Sequence, residues 1–191
     1  MAHMRESGPA ARGPLVRLAE QVEGAAALDS FSELVRPLAE ALVADPRRRD
    51  LLQGTWLGHA LHPLLTDLPI GFWTSANVLD LIGGPSARPV ARQLVGLGIA
   101  SAVPTVLTGW AEWAALGTAR DRRTADVHAV GNVIAVTCFT GSWLARRRER
   151  WTAGVLLGLA GATAATAAGF LGGHLAAGRR VTTRHPAFQE G

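Results

Sequence analysis

The chain has 191 residues, 48% of them hydrophobic, and a formal net charge of +4. The apolar residues gather into four blocks of about 18 to 25 residues, each long enough to cross a hydrocarbon layer of about 30 Å. This distribution excludes an ordinary soluble domain and predicts a polytopic membrane protein. The basic residues are all arginine and stand in short loops beside the apolar blocks. We therefore interpret the positive charge as a feature of membrane topology and predict no nucleic-acid partner.

The first 50 residues are predicted to form an N-terminal segment that is helical and partly disordered. Residues 1–13 are polar, and residues 15–44 carry apolar side chains at helical spacing. Two interpretations of the helical part remain open: a small soluble helical hairpin, or a helix that lies on the lipid headgroups. The stretch DPRRRD, residues 45–50, is interpreted as a charged hinge before the membrane part.

The segment that follows, residues 51–178, is predicted to be a transmembrane domain. Its four spans are expected at residues 61–82, 94–116, 127–144 and 152–177, and residues 179–191 form a polar tail. The predicted fold class is therefore all-α: an integral membrane four-helix bundle with a short soluble helical segment at its N-terminus. Cys138 lies alone inside the third span, so it can form no internal disulfide and suggests no thiolate metal site.

The distribution of arginine predicts how the spans are oriented. Four crossings place both termini on one side, together with the arginines of residues 47–49, 120–123 and 179–184. Fewer arginines stand on the other side, in residues 88–92 and 146–150. Because arginine-rich loops favour the cytoplasmic side, we predict a multi-pass protein of the bacterial inner membrane with both termini in the cytoplasm.

Small residues form a stripe along one face of the fourth predicted span. They are Gly154, Gly158, Gly161, Ala165, Gly169 and Gly172. Such a face lets membrane helices approach closely, and it also leaves space for a flat ligand between helices. Both interpretations remain open, with tight helix packing as the simpler one.

Polar residues inside the spans provide the functional candidates, because ionisable groups there are costly and usually face the bundle interior. In the predicted topology, residues from all four spans fall into one layer near the membrane face that holds the termini. They are His62, Asp67, Glu112, His128, Asn132 and His174. His59 lies just outside this layer. Asp80 lies at the opposite end of the first span, where an ion pair with Arg88 or Arg92 is expected.

The three histidines of this layer suggest a metal or cofactor site. Neutral imidazole is a ligand for iron, zinc and copper, and two histidines on facing spans can hold a haem iron from both sides. The candidate metal ligands are His62, His128 and His174, with His59 less favoured. Pro63 indicates that the first span begins there, which places His62 near the positive end of the helix dipole and favours its neutral form.

The other members of the layer are candidates for supporting such a site. Asp67 or Glu112 could orient a ligating imidazole through a hydrogen bond, and Asn132 belongs to the same predicted cofactor-binding set. Arg179 and the residue after it follow His174 at the membrane interface, where they could pair with haem propionates.

Four motifs, GTWLGHALHPLLTDLPIGFWTSANVLDLIGG, GWAEW, HAVGN and LGGHL, follow one another in this order. Together they resemble an uncharacterised bacterial four-span membrane domain family, the domain of unknown function 2231, some members of which are fused to a Rieske-type iron–sulfur domain. The resemblance covers residues 54–178. The family pattern carries over onto His59, His62, Pro63, Asp67, Pro69, Glu112, His128, Asn132 and His174. Ala60 stands where proline is common, and Glu112 stands where aspartate is expected.

The resemblance implies a membrane location and suggests redox association. We expect no iron–sulfur domain in this chain, so an electron-transfer role implies a separate iron–sulfur or other redox protein as partner. The other expected partners are the lipid bilayer and a further copy of the chain.

Three functional hypotheses remain open. The leading one is a haem- or metal-binding electron-transfer subunit, with haem b or a transition metal ion as the cofactor. The second is a non-catalytic scaffold or binding subunit whose His/Asp/Glu cluster only joins helices. The third is a small proton or solute transporter that uses Asp67 and Glu112. No nucleophile–base pair or phosphate-binding loop is apparent, so no catalytic residue is predicted and a stand-alone enzyme is disfavoured.

Overall fold

The computed structural model describes residues 13–182, and within this range all regular elements are helices. The all-helical fold class predicted from the sequence is therefore confirmed. The predictions for residues 1–12 and for most of the polar tail, residues 183–191, lie outside the described residues.

Three short helices precede the long ones: α1, Pro14–Gly24; α2, Asp29–Leu42; and α3, Pro46–Gln53. Helix α1 packs against the long helix α6, Ala119–Arg147. Helix α2 packs against both α6 and the long helix α5, Arg88–Trp113. On α2, Leu34 and Leu38 remain 74% and 76% exposed. A contact of this segment with the lipid surface therefore stays a prediction.

The stretch DPRRRD is the start of α3 and not a hinge. The Asp45 side chain accepts a hydrogen bond from the Arg48 backbone N–H at 2.8 Å, and Pro46 occupies the first helical position. Both features are typical of a helix N-terminus. The helix ends at Gly54, whose φ of 67° favours glycine, and a Cβ there would lie 2.7 Å from the Leu61 backbone nitrogen.

Four long helices make up the rest of the fold: α4, Leu61–Ile82; α5, Arg88–Trp113; α6, Ala119–Arg147; and α7, Trp151–Gly173. A π-helical turn, His174–Gly178, continues α7. The bounds of α4 coincide with the first predicted span, whereas α6 begins eight residues before the third. The sequence predicts a turn over residues 117–126. They are helical because Thr118 caps α6, accepting a hydrogen bond from the Asp121 backbone N–H at 3.1 Å.

The long helices pack in a ring, α4 on α5, α5 on α6, α6 on α7 and α7 on α4. The main core cluster is formed by Trp73, Ala76, Val95, Ala102 and Phe139. The Trp73 and Phe139 rings stack with their centres 4.1 Å apart and their planes at 8°. This aromatic pair fills the middle of the bundle with apolar atoms.

Three of the described helical stretches are long and apolar enough to cross a membrane: Pro85–Trp113, Ala119–Arg147 and Trp151–Gly178. The first predicted span, α4, is not among them. Its 22 residues would reach about 33 Å, but His62, Asp67 and Asp80 lower its mean hydropathy. The membrane character is thus supported, while the number of four crossings stays a prediction.

The small residues of α7 make room for side chains of neighbouring helices. A Cβ at Gly154 would lie 2.7 Å from Cγ of Arg146, and one at Gly161 would lie 2.8 Å from Cδ2 of Phe139. A Cβ at Gly158 would lie 2.9 Å from Oδ1 of Asn77. Over this part of α7, the glycine stripe serves close packing.

Asp80 forms an ion pair, as expected from the sequence, but its partner is neither Arg88 nor Arg92. Arg146 Nη1 donates to Asp80 Oδ1 at 2.7 Å, and its Nη2 donates to Oδ2. The Arg88 guanidinium instead lies 5.3 Å from the centre of the Trp151 ring. The sequence interpretation favoured the arginines next along the chain, whereas helix packing brings α6 against Asp80.

Candidate functional site

Two of the predicted site residues, His62 and His128, meet inside the bundle. His62 is the second residue of α4, which begins at Leu61 and not at Pro63 as predicted, and His128 lies in α6. Their ring centres are 6.2 Å apart, and the ring planes are nearly perpendicular at 89°. We call these two residues the histidine pair.

Each ring of the histidine pair is held by a backbone carbonyl of the adjacent helix. His62 Nδ1 lies 2.9 Å from the Thr105 carbonyl oxygen on α5, and His128 Nδ1 lies 2.7 Å from the Ala168 carbonyl oxygen on α7. Because a carbonyl oxygen only accepts hydrogen bonds, we assign the proton of each neutral ring to Nδ1. The Nε2 atom of each ring then presents a lone pair.

Glycines form the surfaces on which both rings rest. A Cβ at Gly109 would lie 2.9 Å from Cε1 of His62, and a Cβ at Gly172 would lie 2.8 Å from Cε1 of His128. Any larger residue at either glycine would displace the ring. Asn132, one turn after His128, places its amide nitrogen 3.0 Å from His128 Nε2, so this predicted member of the site does contact the pair.

The side chains of His174 and Arg179 contact acidic residues of other helices. His174 Nε2 lies 2.8 Å from a carboxylate oxygen of Glu23 on α1. Arg179 Nε donates to Asp121 at 2.8 Å and lies 3.8 Å from Glu23. Within residues 13–182, no group of three or more His, Cys, Asp or Glu side chains is placed to hold a metal ion. The structure therefore brings together two of the three predicted histidine ligands, and not the third.

The remaining predicted residues lie around the pair. Asp67 is exposed on α4 and, with His59, lines an open cleft of about 380 Å³ beside the π-helical turn. Glu112 is half-buried in the last turn of α5. His59 is exposed.

A second polar cluster, which the sequence interpretation missed, joins the N-terminal helices to the long ones. We call it the docking cluster. It comprises Glu23, Asp29 and Ser32 from the N-terminal helices, and Asp121, Arg123, Asp126, His174 and Arg179 from α6 and the end of α7.

Arg123 and Asp126 form the centre of the docking cluster. Arg123 donates to both carboxylate oxygens of Asp29 at 2.7 and 2.8 Å, and to the Glu23 carbonyl oxygen at 2.8 Å. Asp126 accepts hydrogen bonds from Ser32 and from the Trp113 indole. The Arg123 guanidinium lowers the pKa of the Asp29 carboxyl below its usual value.

One sequence signal could have revealed this cluster. Thr118-x-x-Asp121 has the spacing of a helix N-terminal capping box, and it places the start of α6 at Ala119. With α6 extended by eight residues, Arg123 and Asp126 fall at i and i+3 on one helix face. No comparable signal marks Glu23 as their partner.

These features define a class of protein: an all-helical membrane protein with a histidine pair inside a bundle of long helices. The family described as predicted membrane protein (DUF2231) matches residues 58–185, about two-thirds of the chain, so the protein belongs to that family. The resemblance identified from the motifs is thereby confirmed, as is the membrane location. No curated protein and no solved structure matches the chain.

Proposed function

We propose that this protein is a membrane-embedded redox subunit in which His62 and His128 are the two protein ligands of one metal centre. The observation that supports the proposal is the orientation of the pair. Both Nδ1 atoms are occupied by backbone carbonyls, and the ring centres lie 6.2 Å apart. Each ring therefore offers Nε2 as a ligand atom, with its tautomer fixed by the second nitrogen, as is usual for metal-binding histidines.

The 6.2 Å between the ring centres would let both imidazoles hold one metal atom, given metal–nitrogen bonds of about 2 Å. Two ligands suffice for a haem iron, whose porphyrin supplies the other four, and for a cuprous ion. The group would supply reversible one-electron chemistry, while the chain fixes both imidazoles and surrounds them with packed helices.

Membrane placement supports an electron-transfer role over a transport role. An apolar layer, the stacked Trp73 and Phe139 rings, lies about 16 Å along α4 from the histidine pair. These side chains are 6% and 0% exposed. They place an apolar layer between the histidine pair and the Asp80–Arg146 ion pair, which favours electron transfer over proton or solute transport.

The wider setting of the proposal includes four crossings of a bacterial inner membrane, with both termini in the cytoplasm. The outer surface of α4 supports its role as a span, because Leu68, Leu81 and Ile82 are 48%, 70% and 80% exposed. The histidine pair then lies near the cytoplasmic face. An iron–sulfur or other redox protein on that side is the proposed electron partner.

A structural polar network is the second candidate function. The observation that favours it is the Asn132 amide, which already occupies Nε2 of His128 at 3.0 Å. A metal centre has to displace this contact. In the network alternative, substitution of either histidine lowers folding yield and removes no bound group.

The deciding experiment is gentle purification of the protein from its native host. An oxidised and a dithionite-reduced absorption spectrum would detect haem, and elemental analysis would detect copper or iron. We expect haem bands or a metal ion in stoichiometric amount. A pure, folded protein that shows neither would exclude the redox proposal.

Alanine variants separate the two candidate functions. We expect His62→Ala and His128→Ala to lose the bound group while retaining a monodisperse elution profile. His174→Ala is the matched control, because its ring contacts Glu23 and not the pair; we expect it to retain the bound group. Loss of the group in the His174 variant would instead point to the three-histidine site predicted from the sequence.

A further inference from the structure

The two helical hairpins of the bundle, α4–α5 and α6–α7, hold their histidines in the same way. His62 donates to the Thr105 carbonyl oxygen and rests on Gly109, four residues further along α5. His128 donates to the Ala168 carbonyl oxygen and rests on Gly172, four residues further along α7. The second histidine follows the first by 66 residues, and the second carbonyl and glycine follow the first by 63.

The same two offsets recur in the middle of the bundle. Trp73 on α4 lies against Gly98 on α5, and Phe139 on α6 lies against Gly161 on α7. The two aromatic residues are again 66 positions apart, and the two glycines are 63 apart. One register therefore superposes the hairpins over residues 62–73 of α4, which is about three helical turns.

The offset of 66 positions also holds at the end of the bundle opposite to the histidine pair. Arg146 lies 66 positions after Asp80, its ion-pair partner. The halves differ where the larger side chain of Arg146 needs room. Arg146 lies against Gly154, whereas the position 63 residues earlier is Ala91.

Three successive contacts thus join residues that occupy equivalent positions of the two hairpins: His62 with His128, Trp73 with Phe139, and Asp80 with Arg146. A residue can touch its own equivalent only at the symmetry axis that relates the two halves. The three contacts therefore mark a two-fold axis that runs along the bundle, parallel to the helices. Internal repeats related by an axis along the membrane normal are a known plan of membrane proteins, with binding sites between the repeats.

We infer that residues 61–178 are two equivalent hairpins about a pseudo-two-fold axis, and that His62 and His128 contribute equally to one ligand site on that axis. The inference about the ligand rests on the proposed function. The ligand class is a metal centre that two imidazoles could hold, either haem iron or a cuprous ion. Gly109 and Gly172 are positioning residues, because the His62 ring rests on the first and the His128 ring rests on the second.

The duplicated fold is tested without any ligand by exchanging the aromatic pair. In the wild type, the Trp73 indole donates to the Val95 carbonyl oxygen at 3.3 Å, and the equivalent acceptor for a tryptophan at position 139 is the Gly158 carbonyl oxygen. We expect Trp73→Phe and Phe139→Trp each to lower the Tm of the detergent-solubilised protein. The double exchange should recover most of the combined loss. A double variant whose loss equals or exceeds the sum of the single losses would overturn the duplication.

The equivalence of the histidines is tested by titrating the purified full chain with hemin and, separately, with Cu(I). If the halves are equivalent, His62→Ala and His128→Ala weaken the binding of the same probe to the same extent, within about threefold in Kd. Gly109→Ala and Gly172→Ala should likewise weaken it equally. A variant pair in which one substitution abolishes binding and the other leaves it unchanged would overturn the equivalence.

The aromatic exchange and the probe titrations together also distinguish this inference from the proposed function. If the aromatic exchange is compensated but the wild type binds neither hemin nor Cu(I), the redox proposal and the shared ligand site are overturned, while the duplicated fold stands. If a probe binds equally through both histidines but the aromatic exchange is not compensated, the metal site stands and the duplication is overturned.

Discussion

Arg146 and Asp80 form a bidentate ion pair at the end of the bundle opposite to the histidine pair, and the Arg146 side chain is fully shielded from solvent. The Ser142 hydroxyl adds a further contact at 3.1 Å from Arg146 Nε. A buried charge of this kind persists only when it is paired, because removal of its partner leaves the cost of desolvation uncompensated.

Asp80→Asn is therefore expected to destabilise the protein by about 3 kcal/mol, the range found when one partner of a buried pair is removed. Thermal unfolding in detergent, followed by tryptophan fluorescence, measures the change. Arg148→Gln is the matched control, because Arg148 is an exposed member of the same arginine-rich segment. Equal melting temperatures for the wild type and the Asp80 variant would show that the pair does not stabilise the fold.

Substitution by alanine at two glycines of α7 is expected to change the stability of the protein in different ways. A Cβ at Gly161 would lie 2.8 Å from the Phe139 ring, whereas nothing lies within 4 Å of a Cβ at Gly169. We expect Gly161→Ala to destabilise the protein by about 1–3 kcal/mol through overpacking. Gly169→Ala should be neutral or slightly stabilising, since alanine favours helix. Thermal unfolding of both variants tests the packing, and a neutral Gly161 variant would contradict it.

The docking of α1 and α2 is expected to depend on the charge of Asp29. Arg123 lowers the pKa of this carboxyl in the folded protein, so its contribution is present above the ordinary Asp pKa of about 3.9. It is lost as the pH falls through the lowered folded value. Asp29→Asn should speed hydrogen exchange of residues 14–42 at neutral pH, after correction for the intrinsic pH dependence of exchange.

The matched control for this prediction is Glu40→Gln, which removes an exposed carboxylate from the same helix. The wild type should resemble the Asp29 variant only when the pH has fallen below the lowered folded pKa of Asp29. If α1 and α2 exchange at the same rate in the Asp29 variant and the wild type at pH 7, the ion pair with Arg123 does not hold the segment.

The number of membrane crossings is tested by single cysteines in a Cys138→Ser background. If α4 crosses the bilayer, Thr55→Cys and Gly117→Cys lie on one side, while Ser86→Cys and Glu149→Cys lie on the other. A membrane-impermeant maleimide added to intact cells should label only the second pair. Labelling of positions 55 and 86 from the same side would mean that α4 does not cross.

The sequence was most informative where one property decides the structure. Apolar length predicted the long helices, and the bounds of α4, Leu61–Ile82, coincide with those of the first predicted span. Helix α6 begins eight residues before the third predicted span, within the predicted turn. Charge alone does not end a helix when a capping residue such as Thr118 satisfies its first N–H groups.

The candidate site was predicted in part. Helix topology placed His62 and His128 at one depth, and depth follows from counting residues along the spans. Rotation about the helix axis and contacts with distant segments do not follow from such a count. For this reason the sequence could not show that His174 turns to Glu23, or that Asp80 pairs with Arg146 across the bundle.

The most direct test of the histidine-pair proposal is the amount of bound haem or metal ion per chain. It should be measured in the wild type and in the double variant His62→Ala/His128→Ala, both purified from the native host and matched for monodispersity. The proposal predicts a stoichiometric centre in the wild type and essentially none in the double variant. A wild type without any bound centre, or a double variant that retains one, would contradict it.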